Sequence, residues 1–169
     1  MRRRSAGGTA RLTAVDAPAG IIPTYECTFD IDLGEGWFIG TGGFGNRVVG
    51  AVGGGTVTGP RLNGTLIGPG ADWALLGGDG YGRVDVRMQF RTHDGALVYV
   101  QYVGLLELNE RSSPAMVDRS VETTFDDQYF VTTPRMECGD ERYGWVNTTV
   151  FVARGRLTRS GVCYEVYRV

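Results

Sequence analysis

The side chains best suited to chemistry are a few carboxylates with their polar and aromatic neighbours. Asp85 and Arg87 stand two apart in an alternating run, so both leave the same side of a strand. An arginine-paired Asp85 suits anchoring or charge stabilisation. Glu137, if desolvated, suits the donation and acceptance of a proton, and Tyr143 adds a phenol for polarisation. These four are the candidate catalytic groups. Asp72, Trp73, Tyr99, Trp145 and Asn147 are the candidate substrate-binding groups, because a few polar groups in an aromatic and aliphatic setting are the usual make-up of a small-molecule site.

Absent residue types narrow the chemistry further. All 17 cationic residues are arginine, so a Schiff-base lysine, a pyridoxal anchor and a P-loop lysine are excluded. His93 is the only histidine, leaving histidine-dependent triads and multi-histidine zinc sites at most one member. The 19 acidic residues have no metal-ligand spacing, and no metal or other cofactor is expected. Cys27, Cys138 and Cys163 are far apart and form no C-x-x-C pair, which reads as buried structural thiols. A net charge of −2 with scattered arginines offers no field for nucleic acid. Met1 to Arg4 is basic, but no apolar signal-peptide segment follows and no run reaches the ~18 apolar residues of a membrane span. The expectation is a cytoplasmic chain without a membrane partner, with a homodimer left open.

The elements that must position these residues are strands. From Gly82 to Thr92, Val84, Val86, Met88 and Phe90 take one face, while Arg83, Asp85, Arg87, Gln89 and Arg91 take the other. A turn at His93-Asp94-Gly95 leads into Ala96 to Val103, apolar on both faces apart from Gln101, so this second strand is predicted to be buried on both sides. Tyr25, Cys27, Phe29, Ile31 and Leu33 alternate with polar residues in an earlier half-buried strand. The glycine-dense stretch from Gly36 to Gly55 reads as strands bent through bulges or tight loops. Within it Gly40-Thr41-Gly42-Gly43-Phe44-Gly45 matches the dinucleotide pattern G-x-G-x-x-G, but the Val- and Gly-rich continuation is no helix to receive a pyrophosphate. Leu106 to Asp127 is a polar excursion, either a lid or a solvated loop. Strands resume near Tyr129, over Tyr143 to Ala153 and over Val162 to Val169. Residues 1–20 read as a flexible tail and residues 21–169 as one domain. The class is all-β, a single antiparallel barrel of about eight to ten strands, since closure removes sheet edges and leaves room for side chains or one small ligand.

Four runs in order, GPRLNGTLIGPGADW, DVRMQFRTHDGALVYV, YFVTTPRMECG and YGWVNTTVFV, resemble the bacterial family catalogued as domain of unknown function 3237. That family's pattern is approximately GG-x-DW, D-x-R, RT-x-DGA, YF-x-TTP-x-FE-x-G and Y-x-WLN. The resemblance implies a small lipocalin-like (calycin-like) barrel and places the D-x-R pair toward the interior. Alternation alone equally allows Asp85 and Arg87 on the outer face, with Tyr143 and Trp145 as packing. Two positions depart from the pattern: His93 stands where the family has an acid, which argues against a histidine base, and Met136 stands where it has Phe.

The leading functional expectation is a cofactor-independent isomerase or cyclase holding an apolar or conjugated natural-product-type substrate in the barrel, an analogy with other small barrels that act by confinement. A carrier barrel without turnover and a structural oligomeric module with a filled interior are the alternatives.

Overall fold

The computed structural model describes residues 20–169, so the expected tail over residues 1–20 lies, apart from Gly20, outside the described residues. Nine strands form one antiparallel sheet: β1 (Thr24–Gly42), β2 (Gly45–Thr58), β3 (Gly64–Asp72), β4 (Leu75–Leu76), β5 (Tyr81–Thr92), β6 (Leu97–Glu107), β7 (Phe130–Cys138), β8 (Phe151–Leu157) and β9 (Gly161–Arg168). Eight of them follow the order β1-β9-β8-β7-β6-β5-β3-β2, and β2 pairs back onto β1 to close the ring. The short β4 bridges β2 and β5 at one end. The barrel anticipated from the strand count is therefore the fold.

The period of two decides what fills it. Val84, Val86, Met88 and Phe90 of β5, Val98, Val100 and Tyr102 of β6, and Phe130 and Met136 of β7 all point inward and are buried. Phe29 and Ile31 of β1 and Tyr164 and Val166 of β9 complete the interior. The outer face of β6 departs from expectation. Leu97 and Val103 are 53% and 52% exposed, so this strand is apolar on both sides but covered only from within.

Glu26 reads from the sequence as an outward polar position, yet it is buried. The β1–β9 register slips between Tyr25 and Cys27, and this bulge turns Glu26 inward along with Cys27. The Arg61 guanidinium meets both its carboxylate oxygens, and Arg168 Nε lies 3.5 Å away.

Beyond the ring, β1 and β2 run on together as a ribbon whose turn is Gly43-Phe44. The glycine fingerprint thus falls in a two-residue hairpin turn, and no helix follows it. Trp37, Phe38, Ile39 and Phe44 of this ribbon are exposed. Lower down, Gly55 lets the two strands close up, because a side chain there would strike the Asp30 carbonyl.

The segment expected as a strand from Tyr143 is instead a 3-10 helix, Glu141–Thr148. Asp140 caps it by accepting from Arg142 N–H at 3.0 Å. It covers the place where β7 and β8 share only two paired residues, with Trp145 against Phe151 at 6.3 Å between ring centroids. The polar excursion contains a short helix, α1 (Ser112–Val117), laid against one end of the barrel.

Candidate functional site

A cavity of about 340 Å³ occupies the end of the barrel between the β1–β2 ribbon, β4, α1 and the β8–β9 turn. Its lining is aliphatic, aromatic or glycine except for Asp72, Tyr102, Tyr164, Thr158 and Arg119. The first three sit deep. Asp72 pairs with Val86 and Val86 with Tyr102, so carboxyl and phenol share one level of the wall. Tyr164 approaches from β9, its ring edge-on to Tyr102 at 5.3 Å.

The aim of Asp72 is a local consequence of the chain. Between Ile67 and Ala71, β3 carries two more residues than β5 does between Gln89 and Arg87. Two extra residues preserve parity, so Asp72 faces inward as Leu66 does while Trp73 faces out. The Gln89 side-chain amide donates to the carbonyls of Ile67 (2.7 Å) and Pro69 and holds this bulge. Asp85 N–H donates to Asp72 Oδ1 at 3.0 Å, and Trp73 N–H returns a bond to Asp85 O at 3.0 Å.

The cavity changes the acidity of what it contains. Burial pushes the Asp72 carboxyl from its ordinary 3.8 up to about 6. The Asp85 amide and the Arg47 charge resist that rise, whereas the Asp85 carboxylate adds to it. The Tyr102 phenol is pushed upward by burial and by the Asp72 charge, with the neighbouring Tyr164 hydroxyl offsetting part of it. Tyr164 is raised too, chiefly by burial and further by the neighbouring Tyr102 and Asp72. Two phenols that keep their protons thus stand beside a carboxyl that titrates near neutrality. The Tyr102 hydroxyl, kept protonated by its burial, is able to donate to an occupant.

Of the residues picked from the sequence, Asp72 alone lines this cavity. Asp85 and Arg87 lie on the outer face as an ion pair at 3.1 Å, their side chains 40% and 44% exposed, and Arg87 lies over Trp73 at 5.4 Å. The expected inward turn of this pair is corrected: the odd positions of β5 all face out because the even positions carry Val84, Val86, Met88 and Phe90. Glu137 is exposed and paired with Arg135 at 2.7 Å. With Tyr99 and Asn147 it borders an open depression outside the barrel. Asn147 is occupied in closing the turn, donating to Cys138 O (2.9 Å) and accepting from Cys138 N–H (2.8 Å). Tyr143 donates to Asp94 at 2.9 Å on the surface, and Arg61 stacks on Trp145 at 3.7 Å. The expected convergence of these groups inside the barrel therefore does not occur. His93 is exposed at the β5–β6 turn.

Tyr102, Tyr164 and Arg119 were not singled out by their sequence context, although both tyrosines hold inward positions of strands, where a hydroxyl needs a reason. The three cysteines are free and buried, and burial pushes the thiols of Cys27 and Cys163 up, the latter to about 12. Among the described residues no group of three or more His, Cys, Asp or Glu side chains is placed to hold a metal, and no helix is long and apolar enough to cross a membrane.

The family model described as protein of unknown function (DUF3237) matches residues 22–169. A UPF0311 protein of Rhodopseudomonas palustris is 30% identical over 152 residues, covering 86% of this chain and 94% of that protein. A crystal structure from the same species, described as a conserved protein of unknown function, superposes with a TM-score of 0.82 at 26% identity, over 89% of this chain and 98% of that one. A beta-barrel like protein of Acinetobacter baumannii gives 0.75 at 28% identity, over 91% and 99%. A structure described as an enzyme from Penicillium herquei shares the fold, with a TM-score of 0.65 at 17% identity over 90% and 99%.

Proposed function

The chain belongs to the DUF3237 family of proteins of unknown function, and from that premise we propose that it binds a small organic molecule in the barrel and acts on it as a cofactor-independent isomerase or cyclase, with Asp72 as the proton-transfer group. One observation carries this reading: the Asp72 carboxyl, its acidity weakened by burial to about 6, lines a mostly apolar cavity at the same level of the wall as the Tyr102 phenol. Such a group is mostly ionised at neutral pH yet easily reprotonated, the condition for a single residue to take a proton and give it back.

Asp72 takes the proton from a C–H next to a carbonyl or from a hydroxyl of the substrate. In the first case the electron pair moves to the carbonyl oxygen, where the Tyr102 hydroxyl donates a hydrogen bond to the developing charge. The Asp72 acid returns the proton at another atom and leaves an isomer. In the second case the freed oxygen adds to an electron-poor carbon of a C=C bond in the same molecule, the π bond breaks toward its other carbon, and the Asp72 proton is delivered there to complete the ring-closed product. Nothing is gained or lost, so no oxidant or cofactor enters. The aliphatic walls exclude water and hold the substrate folded. The Penicillium neighbour supports the idea that this fold can house a catalyst, though it says nothing of the reaction here.

The test uses 5-nitrobenzisoxazole, from which a base removes the ring C–H while the N–O bond breaks to give a coloured nitrophenolate. Saturable elimination should rise with pH through about 6 and fall on the order of 100-fold or more in Asp72→Asn. Equal rates in wild type and Asp72→Asn would remove the proton-transfer role. If N-phenyl-1-naphthylamine still bound the cavity in that event, a carrier barrel, which the aliphatic lining also suits, would be the better account.

A further inference from the structure

The two ends of the cavity carry opposite charges. Asp72 lies at the floor, while Arg119, among the described residues the only cationic side chain of the lining, lies at the mouth beside Thr158 and Met116. Arg119 is held in place: one guanidinium nitrogen donates to Ser160 O in the β8–β9 turn at 3.1 Å. Among the described residues no carboxylate lies within 4.0 Å of it, although several neighbours are acidic. Asp118 is engaged by Ser120 and Glu122 by Arg159, so neither neutralises Arg119. A guanidinium has five N–H donors, and a single bond to a carbonyl leaves most of them for a ligand.

From these observations we infer that the substrate is an amphipathic acid: an apolar body seated between the barrel walls, with a carboxylate at the mouth on Arg119 and the reacting, uncharged end at Asp72. The inference rests on the reading of this cavity as the substrate site and adds the substrate's polarity and orientation. An anionic group could not sit at the floor, where the ionised Asp72 would repel it in a poorly screened setting. At the mouth a carboxylate keeps part of its hydration and gains a charge-assisted bond. The length follows from the strands. Tyr164 lies three residues up β9 from Gly161 at the rim, and at ~3.3 Å per residue the head and the reacting atom are about 10 Å apart.

The test is competition against N-phenyl-1-naphthylamine, a neutral fluorescent ligand, by 2-naphthylacetate and by its uncharged twin 2-naphthylacetamide. In wild type the acid should compete about 10-fold better than the amide at low ionic strength, with the margin shrinking in concentrated salt. In Arg119→Gln the margin should vanish because the acid weakens while the amide does not. Equal competition by acid and amide in wild type, or a margin that survives Arg119→Gln, overturns the inference. Failure here is separable from failure of the catalytic reading. A wild-type protein that eliminates nitrobenzisoxazole but ignores the charge keeps Asp72 and loses Arg119, and one that prefers the acid but eliminates nothing does the reverse.

Discussion

Replacing Asp72 by asparagine should make the protein more stable, and the gain should depend on pH in a defined direction. Burial raises this carboxyl from 3.8 to about 6, so between those values the folded chain holds a proton that the unfolded chain has released. Stability of the wild type therefore falls as pH rises through that window and levels off above it. Each tenfold change in proton affinity is worth ~1.4 kcal/mol, which sets a ceiling of about 3 kcal/mol on the cost of the ionised group. Asp72 is partly open to the cavity, so about 1–2 kcal/mol is the expected share. Asparagine has the same shape and keeps an oxygen for the Asp85 N–H, now 3.0 Å from Oδ1, so the variant escapes the charge without losing that bond. Urea denaturation followed by circular dichroism should give nearly equal stabilities near pH ~4 and a variant ahead by that amount near pH ~7.5. A stability difference that stays flat, or that shrinks with rising pH, would refute the claim that the cavity holds Asp72 against its preferred protonation state.

Three further outcomes follow from the geometry. Asp85→Asn and Arg87→Ala, at a half-exposed surface pair, should each change stability by less than about 1 kcal/mol, while Asp85→Asn lowers the pH midpoint of the elimination reaction because the Asp85 charge helps to raise Asp72; a collapse of activity in Arg87→Ala would return that pair to the site. Gly155→Ala would place a methyl group 2.7 Å from both the Phe130 and Tyr164 rings, so thermal or urea melting should register a loss of about 1–3 kcal/mol and N-phenyl-1-naphthylamine should bind less tightly. Glu26→Gln leaves Arg61 and Arg168 without their shared carboxylate at a buried position; because both arginines reach solvent, the expected cost is about 1–3 kcal/mol, and denaturation showing no change would mean that the bulge alone holds this corner.

The barrel was legible because strands that bury one face must alternate, and β5 states its inner face in four residues, Val84, Val86, Met88 and Phe90. The same alternation left both faces open to Asp85 and Arg87; the resemblance-based reading of them as inward could not stand against the burial of four apolar neighbours on the other face. Asp72 was legible as a candidate, but its direction depends on a bulge whose two extra residues appear only when β3 is paired with β5. Tyr102 and Tyr164 were hidden among aliphatic neighbours, since a phenol fills a core as readily as it serves a site. Tyr143, Trp145 and Asn147 alternate like a strand, but Asn147 bonds to the Cys138 backbone and Asp140 caps a 3-10 turn, and such side-chain-to-backbone bonds leave no periodic trace. Arg119 lies in an aperiodic stretch, and only the docking of α1 against the mouth gives it a place.

The β1–β2 ribbon forms one side of the mouth, yet the proton-handling groups belong to β3, β6 and β9. On the proposed function, selection of a guest and treatment of it fall to different parts of the polypeptide. Lengthening, shortening or re-lettering the ribbon around Phe38 and Val48 would remould the doorway while the acid and its two phenols kept their setting. One scaffold could in this way be fitted to a succession of differently shaped molecules, with the same proposed step performed on each.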